Sequence, residues 1–334
     1  MTPWQAFEAE QTDQQADQQA SHDFICGADA LGVILVSGED AHDFLQSQLS
    51  NDVDFIDESH YQLSSYSTPK GRLVGIFRVV RVSNGYLLLT PRSMVLPLLQ
   101  RLFKYIVQAR VNLADASNHF ARFALQTDDA EIIAHPQLPQ AAGSVVQTDS
   151  LISLQLEPAG DQRRYLVMCL STDEAISLWK GFAGSLKVAG FRALRLSEIR
   201  AGIPVIYPQT SEEFVLQMAN LGMLDGVSFK KGCYPGQEIV ARMQYLGKLK
   251  RRMFLAQIET EQLPQPGDAL VLDGKDQVDG SGTVVDAEFD ENGLCHCLYI
   301  AQIERAEADQ LRFLTQPDAR LHNRELPYPV NAST

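Results

Sequence analysis

The chain is poor in cysteine, with five in 334 residues at 26, 169, 233, 295 and 297. Few, scattered and odd in number, they argue against a disulfide-stapled fold. No apolar run approaches the roughly 18 residues of a membrane-spanning helix, so no membrane partner is expected. The N-terminus lacks a basic segment followed by an apolar stretch; no secretory signal is expected, and a cytoplasmic location is the default. Basic residues are in the minority, 28 Lys and Arg against 42 Asp and Glu, for a formal net charge of −14. That balance opposes indiscriminate binding to nucleic acid or anionic lipid, while leaving room for a local basic site. Repeats, a phosphate-binding Gly-rich loop ending in Gly-Lys-Ser/Thr, and EF-hand carboxylate spacing are also missing. Cys295-His296-Cys297 has metal-ligand chemistry. On a strand, however, its two cysteines share one face and His296 takes the other, which favours a core role, and no metal site is expected.

What is present suits a folded protein of two or three domains, since 45% of the residues are hydrophobic. The first 22 residues, rich in Gln, Asp and Ala, read as a flexible lead or a short helix. Val33 to Val36 reads as a buried strand and Ala41 to Leu49 has helical spacing. Strands are expected over 61–66, 73–82 and 86–90, the last two joined by the turn Ser83-Asn84-Gly85. An amphipathic helix is expected over 91–107. A small α+β region follows, with strands over 120–126, 151–156 and 164–170. Its helix over 172–182 is opened by Ser171 with Glu174 in capping-box spacing. A strand-like pattern over 188–196 and a short helix over 197–202 come next. Short strands over 252–258, 269–272, 282–287 and 296–300, separated by Gly and Pro turns, predict a small C-terminal barrel or sandwich. The last four residues, 331–334, read as a loose tail.

The richest chemistry lies in Lys230-Lys231-Gly232-Cys233-Tyr234-Pro235-Gly236-Gln237-Glu238. Thiol chemistry runs through the thiolate, which neighbouring positive charge favours. Glycines allow a tight path that brings backbone N–H groups near sulfur. Cys233 therefore reads as a nucleophile, a redox thiol or a ligand, set against a turn cysteine of incidental exposure. No histidine is near in sequence, so a Cys–His pair finds no support. Gln237 and Glu238 either hydrogen-bond a ligand or fix the loop, or serve only as cap partners for a helix starting near 236. From 230 to 252 seven basic residues (Lys230, Lys231, Arg242, Lys248, Lys250, Arg251 and Arg252) face the single acid Glu238. This run could bind phosphate, a polyglutamate tail or RNA backbone, or be a solvated surface. Lys70-Gly71-Arg72 is a second compact basic turn.

The run from Gly226 to Arg242 that contains this motif resembles the bacterial folate-binding YgfZ family. That family is related to the aminomethyltransferase T-protein of the glycine cleavage system. Supporting similarities are Gly38-Glu39-Asp40-Ala41, Gln48-Leu49-Ser50-Asn51-Asp52-Val53, Pro69-Lys70-Gly71-Arg72, Ala201-Gly202-Ile203-Pro204, and Gln217 with Asn220-Leu221. The resemblance implies an α+β, three-domain cloverleaf ending in a β-barrel. A lead over 1–27 would precede a discontinuous folate-binding domain of 28–117 and 190–247. A second domain would span 118–189 and the C-terminal barrel 248–328. The implied cofactor is tetrahydrofolate or a related reduced folate, and the implied role is support of Fe–S enzymes and of tRNA modification. Cys233 would be the functional thiol, within the motif Lys231, Gly232, Tyr234, Gly236, Gln237 and Glu238. Leu31, Leu194, Lys70, Arg72 and Asn220 would be folate contacts. The implied partners are folate, Fe–S client enzymes and a weak or indirect association with tRNA. The T-protein carries a catalytic aspartate after its glycine-rich turn, whereas 71–77 here holds no carboxylate, and Arg200 stands where relatives tend to carry glutamate. Ordinary aminomethyl transfer is therefore not expected. A folate-dependent one-carbon transferase and a tRNA-binding module stand as the alternatives.

Overall fold

A computed structural model describes residues 1–13, 22–247 and 249–330. The chain divides into two compact units, one of Met1–Phe44, Asp54–Gln62 and Arg78–Ser197, the other of Leu45–Val53, Leu63–Phe77 and Glu198–Thr334.

The first unit is built on a six-stranded sheet. Its order is Lys187–Ala189, Phe24–Gly27, Ala121–Thr127, Arg163–Cys169, Leu151–Gln155 and Val145–Gln147. Every residue of Ala121–Thr127 is buried because both faces of the sheet are covered. The two-residue period of a strand sends Phe24, Cys26, Ala124, Leu154, Leu166 and Met168 into one apolar cluster. It sends Ile25, Phe123, Leu125, Tyr165, Val167 and Cys169 into the other. The helix Thr172–Ala183 covers that second face with Trp179 and Phe182, and Ser171 Oγ accepts the Glu174 N–H at its start.

The reading of 1–27 as a flexible or peripheral lead is corrected here. Pro3–Asp13 is a helix, and Trp4, 2% exposed, lies 5.8 Å from the Trp179 ring and 6.1 Å from Phe123. Phe24–Gly27 is an inner strand, parallel to Lys187–Ala189 and antiparallel to Ala121–Thr127. Trp4 and Phe7, about one helical turn apart, put two aromatics on the face of that helix that packs against the cluster. The rest of the lead, 14–21, lies outside the described residues, as do Lys248 and the tail 331–334.

The same unit contains the antiparallel pair Leu31–Ser37 and Gly85–Pro91, in register from Leu31↔Pro91 to Ser37↔Gly85. Asn112–Asp115 extends it on one side and the end of Leu73–Val82 on the other. The helix Arg92–Leu102 buries Met94, Val95, Leu98, Leu99 and Leu102. It passes into a 3-10 turn, Phe103–Tyr105, where no residue is buried, so the helix expected to run to 107 stops early. The strand-like pattern over 188–196 resolves into a short strand, Lys187–Ala189, and a helix, Phe191–Arg200, broken at Gly190. The short helix expected over 197–202 is the second half of that helix.

In the second unit the C-terminal sheet runs Leu311–Phe313, Ala269–Leu272, Gly282–Phe289, Cys295–Gln302, Arg251–Ile258 and Leu321–Arg324. It curls around the cluster of Phe254, Leu270, Val284, Cys295, Cys297, Tyr299 and Phe313. The expected closed barrel is corrected to a half-barrel. The edge strands are only three and four residues long, and a single bridge, Arg312↔Arg320, connects that region. Edges this short cannot run a closing ladder.

Candidate thiol site

The second unit holds the motif loop, and the loop is fixed from below by the segment around Ser50. Ser50 Oγ donates to the Gly226 carbonyl at 2.8 Å, and its own carbonyl accepts the Ser228 N–H at 3.0 Å. Asn51 Nδ2 donates to the carbonyls of Asp225 at 2.6 Å and Leu63 at 2.9 Å. Lys231 is only 8% exposed. Its ammonium donates to the carbonyls of Leu49 at 2.8 Å and Asn51 at 2.7 Å, and lies 5.6 Å from the centre of the Tyr234 ring. Lys231 thus reaches inward as a clamp, which corrects its reading as a cation offered to the neighbouring thiol.

The downstream side is equally committed. Gln237 Nε2 donates to the carbonyls of Lys231 and Gly232, both at 3.3 Å, and the Gln237 N–H donates to Tyr234 O at 3.1 Å. Gly236, at φ +85°, precedes the helix Gln237–Leu246. A Cβ there would stand 2.6 Å from Gly71 Cα and 2.7 Å from Thr68 O. The turn 68–72 therefore lies directly against the start of this helix, closed by Gly71 N–H to Thr68 O and Thr68 N–H to Arg72 O, both 2.8 Å. Gln217 Nε2 holds the helix from another side through the Val240 carbonyl at 2.7 Å. Tyr234 is buried, which pushes its hydroxyl up to about 12 and keeps it a neutral phenol. That hydroxyl and Gln217 Oε1 have no hydrogen-bond partner among the described residues.

Cys233 is the exception, a free and exposed thiol on a turn whose neighbours are occupied in holding it. Glu238 is also exposed, in the first helical turn, where a carboxylate suits the helix dipole. Gly232 is exposed with open space around its Cα, so the tight backbone path needs Gly236 and not Gly232.

The remaining expected residues separate into three groups. Lys70 and Arg72 are exposed on the turn that packs beneath the motif helix, and Arg72 Nη1 donates to Glu213 O at 2.7 Å. Asn220 is buried at φ +58°, with Nδ2 donating to Met253 O at 3.2 Å and 3.3 Å from the Tyr328 hydroxyl, while Oδ1 has no partner among the described residues. Leu31 and Leu194 belong to the first unit and pack in its apolar cluster.

The basic run is smaller than its sequence count. Lys231 is buried, Arg251 donates to the Gly280 carbonyl, and Arg252 pairs with Glu307 at 3.0 Å while lying 4.6 Å over the Phe254 ring. Lys230, Arg242 and Lys250 remain exposed among the described residues. Sequence reasoning gave no role to Ser50, Asn51, Thr68 or Gln217, the anchors of the loop. Their partners are backbone carbonyls and N–H groups, which almost every residue type carries alike. It placed His296 on the opposite face from Cys295 and Cys297, and the structure agrees. His296 is buried beside Asp290 at 3.1 Å and Arg200 at 3.4 Å, and burial pushes its pKa below the usual value.

No protein-family model matches the chain. Among solved structures, the glycine cleavage system aminomethyltransferase T from Bartonella henselae is similar, with a TM-score of 0.73 at 14% identity. The match covers 92% of this chain and 87% of that one, and it defines a multidomain α+β protein of the T-protein fold. Curated relatives match over nearly their full length. The tRNA-modifying protein YgfZ of Colwellia psychrerythraea is 32% identical over 306 residues, covering 90% of this chain and 92% of the relative. That of Shigella sonnei is 31% identical over 309 residues, with the same two coverages. The chain belongs to the YgfZ family.

Proposed function

We propose that this protein binds a reduced folate and supports Fe–S enzymes and tRNA modification through the thiol of Cys233. The observation that carries the reading is the division of labour in the motif. Lys231, Tyr234, Gly236 and Gln237 are spent on holding the loop, and the group left accessible is a thiol. Among the described residues no base is hydrogen-bonded to it, so the thiol acts in exchange or attack on a partner without a paired general base. The relatives' name, tRNA-modifying protein, accords with the RNA side of this role. For the folate, the unpartnered acceptors Gln217 Oε1 and Asn220 Oδ1 suit the N–H groups of a reduced pterin, and exposed Lys70 and Arg72 suit a glutamate tail. The domain division 28–117 with 190–247, 118–189 and 248–328, and a cytoplasmic location, belong to the same proposal. Absence of a carboxylate from 71–77 sets the role apart from aminomethyl transfer.

The test pairs calorimetric titration of tetrahydrofolate with a client-enzyme assay, on wild type and Cys233→Ala. The variant is expected to bind folate and to keep its fold, because the side chain is exposed, but to lose support of the client. Full support by Cys233→Ala would refute the thiol role. Wild type that fails to bind reduced folate would refute the cofactor.

A further inference from the structure

The first unit holds a cavity of about 640 Å³ where the turns 83–84 and 148–150 meet the segment 116–120. That volume lies within the range of small-molecule sites. The floor is apolar and buried, made by Leu87, Ala116, Leu151 and Ile152. Around it Leu35, Val82 and Phe120 are half-buried, and Leu170 is 56% exposed. Apolar side chains thus line a hollow open to solvent. The wall is fixed from within. Gln147 Nε2 donates to the carbonyls of Glu58 and Arg81, both at 2.8 Å. Thr148 Oγ1 accepts the N–H groups of Ser150 at 3.3 Å and Leu151 at 3.1 Å.

The titratable groups on this wall are Glu58, Asp149 and His119, and no Lys or Arg lines it among the described residues. Both carboxylates are exposed, and neither has an ion pair or hydrogen bond among the described residues. Asp57, the next carboxylate in the chain, is taken by Ser59 and His60. Strand alternation sends Arg81 to the face opposite Val82. Arg92, bonded to Asn118 at 3.0 Å, pairs with Asp115 at 3.9 Å.

We propose that this cavity binds a small amphiphilic cation, with its apolar body on the floor of Leu87, Leu151 and Ile152 and its ammonium or guanidinium head at the carboxylate rim. Burial of the body against that floor supplies affinity. The rim sets the sign of the ligand. An anion of the same shape would meet two carboxylates with no Lys or Arg on the wall to offset them. The net charge of −14 also favours the approach of a cation. No residue of this cavity belongs to the thiol motif or to the folate contacts, so the proposal stands apart from both.

The probe is phenylbutylamine, titrated into the full chain carrying labelled Leu and Val methyl groups and followed by NMR. Phenylbutyrate and phenylbutanol, with the same ring and chain but an anionic or a neutral head, are the controls. The amine is expected to move the methyls of Leu35, Val82, Leu151 and Leu170, to saturate with a Kd below about 1 mM, and to bind more weakly as salt is added. Phenylbutyrate should bind at least about tenfold more weakly. Glu58→Gln with Asp149→Asn should weaken the amine by about three- to tenfold and leave phenylbutanol unchanged. Leu170→Gln should weaken both. These three positions are exposed, so the methyl spectrum away from the cavity should show the fold unchanged. No saturation by the amine below about 1 mM, equal binding of phenylbutyrate, or an unchanged amine affinity in the Glu58 and Asp149 variant would each overturn the proposal. So would shifts confined to methyls outside the cavity. A peptide of alternating leucine and lysine that binds there while the amine does not would give the hollow to a protein segment and overturn it as well.

Discussion

Replacing Lys231 by methionine separates two accounts of the motif. Methionine keeps most of the stem's volume and removes the ammonium. Two charge-assisted hydrogen bonds are then lost, to Leu49 O and Asn51 O, each worth about 1.5–3 kcal/mol. Both carbonyl-bearing residues are buried and keep their need for a donor. Relief from holding an ammonium out of water offsets part of the loss, leaving about 2–4 kcal/mol. Hydrogen exchange reads this locally. The amides of Ser228 and Gln237, bonded to Ser50 O and Tyr234 O, should exchange about 30- to 1,000-fold faster in the variant. Thiol reactivity against pH gives the contrasting readout. If Lys231 served Cys233 by charge, Lys231→Met would shift that pH profile upward and leave exchange unchanged. That result would refute the clamp.

The remaining predictions concern backbone fit and the N-terminal helix. Gly236→Ala should cost about 2–4 kcal/mol, from left-handed strain and from a Cβ driven against the backbone of Gly71 and Thr68, whereas Gly232→Ala, with open space around it, should cost under about 0.5 kcal/mol; urea unfolding compares the two. Trp4→Ala should cost about 3–5 kcal/mol and undock Pro3–Asp13, and because Trp4 and Trp179 are the protein's two tryptophans, fluorescence reports the loss directly. Glu8 is pushed up to about 7 by burial and by Asp29, with Arg122 opposing. Its folded carboxyl therefore keeps a proton that the unfolded chain releases near 4.5, so its contribution is most favourable at acid pH and declines as pH rises from about 4.5 to about 7. Glu8→Gln should accordingly raise the melting temperature at pH 8 relative to wild type and change it little at pH 4.5 by scanning calorimetry.

Strands and helices with strong periodicity are legible in the residues alone. The run 73–82, the hairpin at 83–85 and the Ser171-capped helix all lie where their patterns place them. Pattern misleads where it competes with packing. Val188 to Leu196 alternates well enough to suggest a strand, yet Gly190 breaks it and the second half buries a helical face. The short helix is one of two readings of the polar lead, but its docking is not legible, because its burial depends on Trp179 and Phe123, more than a hundred residues away. The barrel fails to close because closure depends on edge length and shear, which turn spacing does not encode.

The thiol motif shows the same boundary. Residue types and spacing alone single out Cys233, the glycines around it, and the resemblance to the YgfZ family. They also overstate the local charge, since a count of seven cations cannot tell an ammonium pointing at solvent from one buried on two carbonyls. Direction is decided by tertiary structure, which brings the carbonyls of Leu49 and Asn51 to Lys231 and the backbone of Gly71 to Gly236 from segments about 160 to 180 residues distant. The sequence determined that a thiol is present in a glycine-framed turn. Only the fold decided that its neighbours face inward to hold that turn, leaving the thiol facing out.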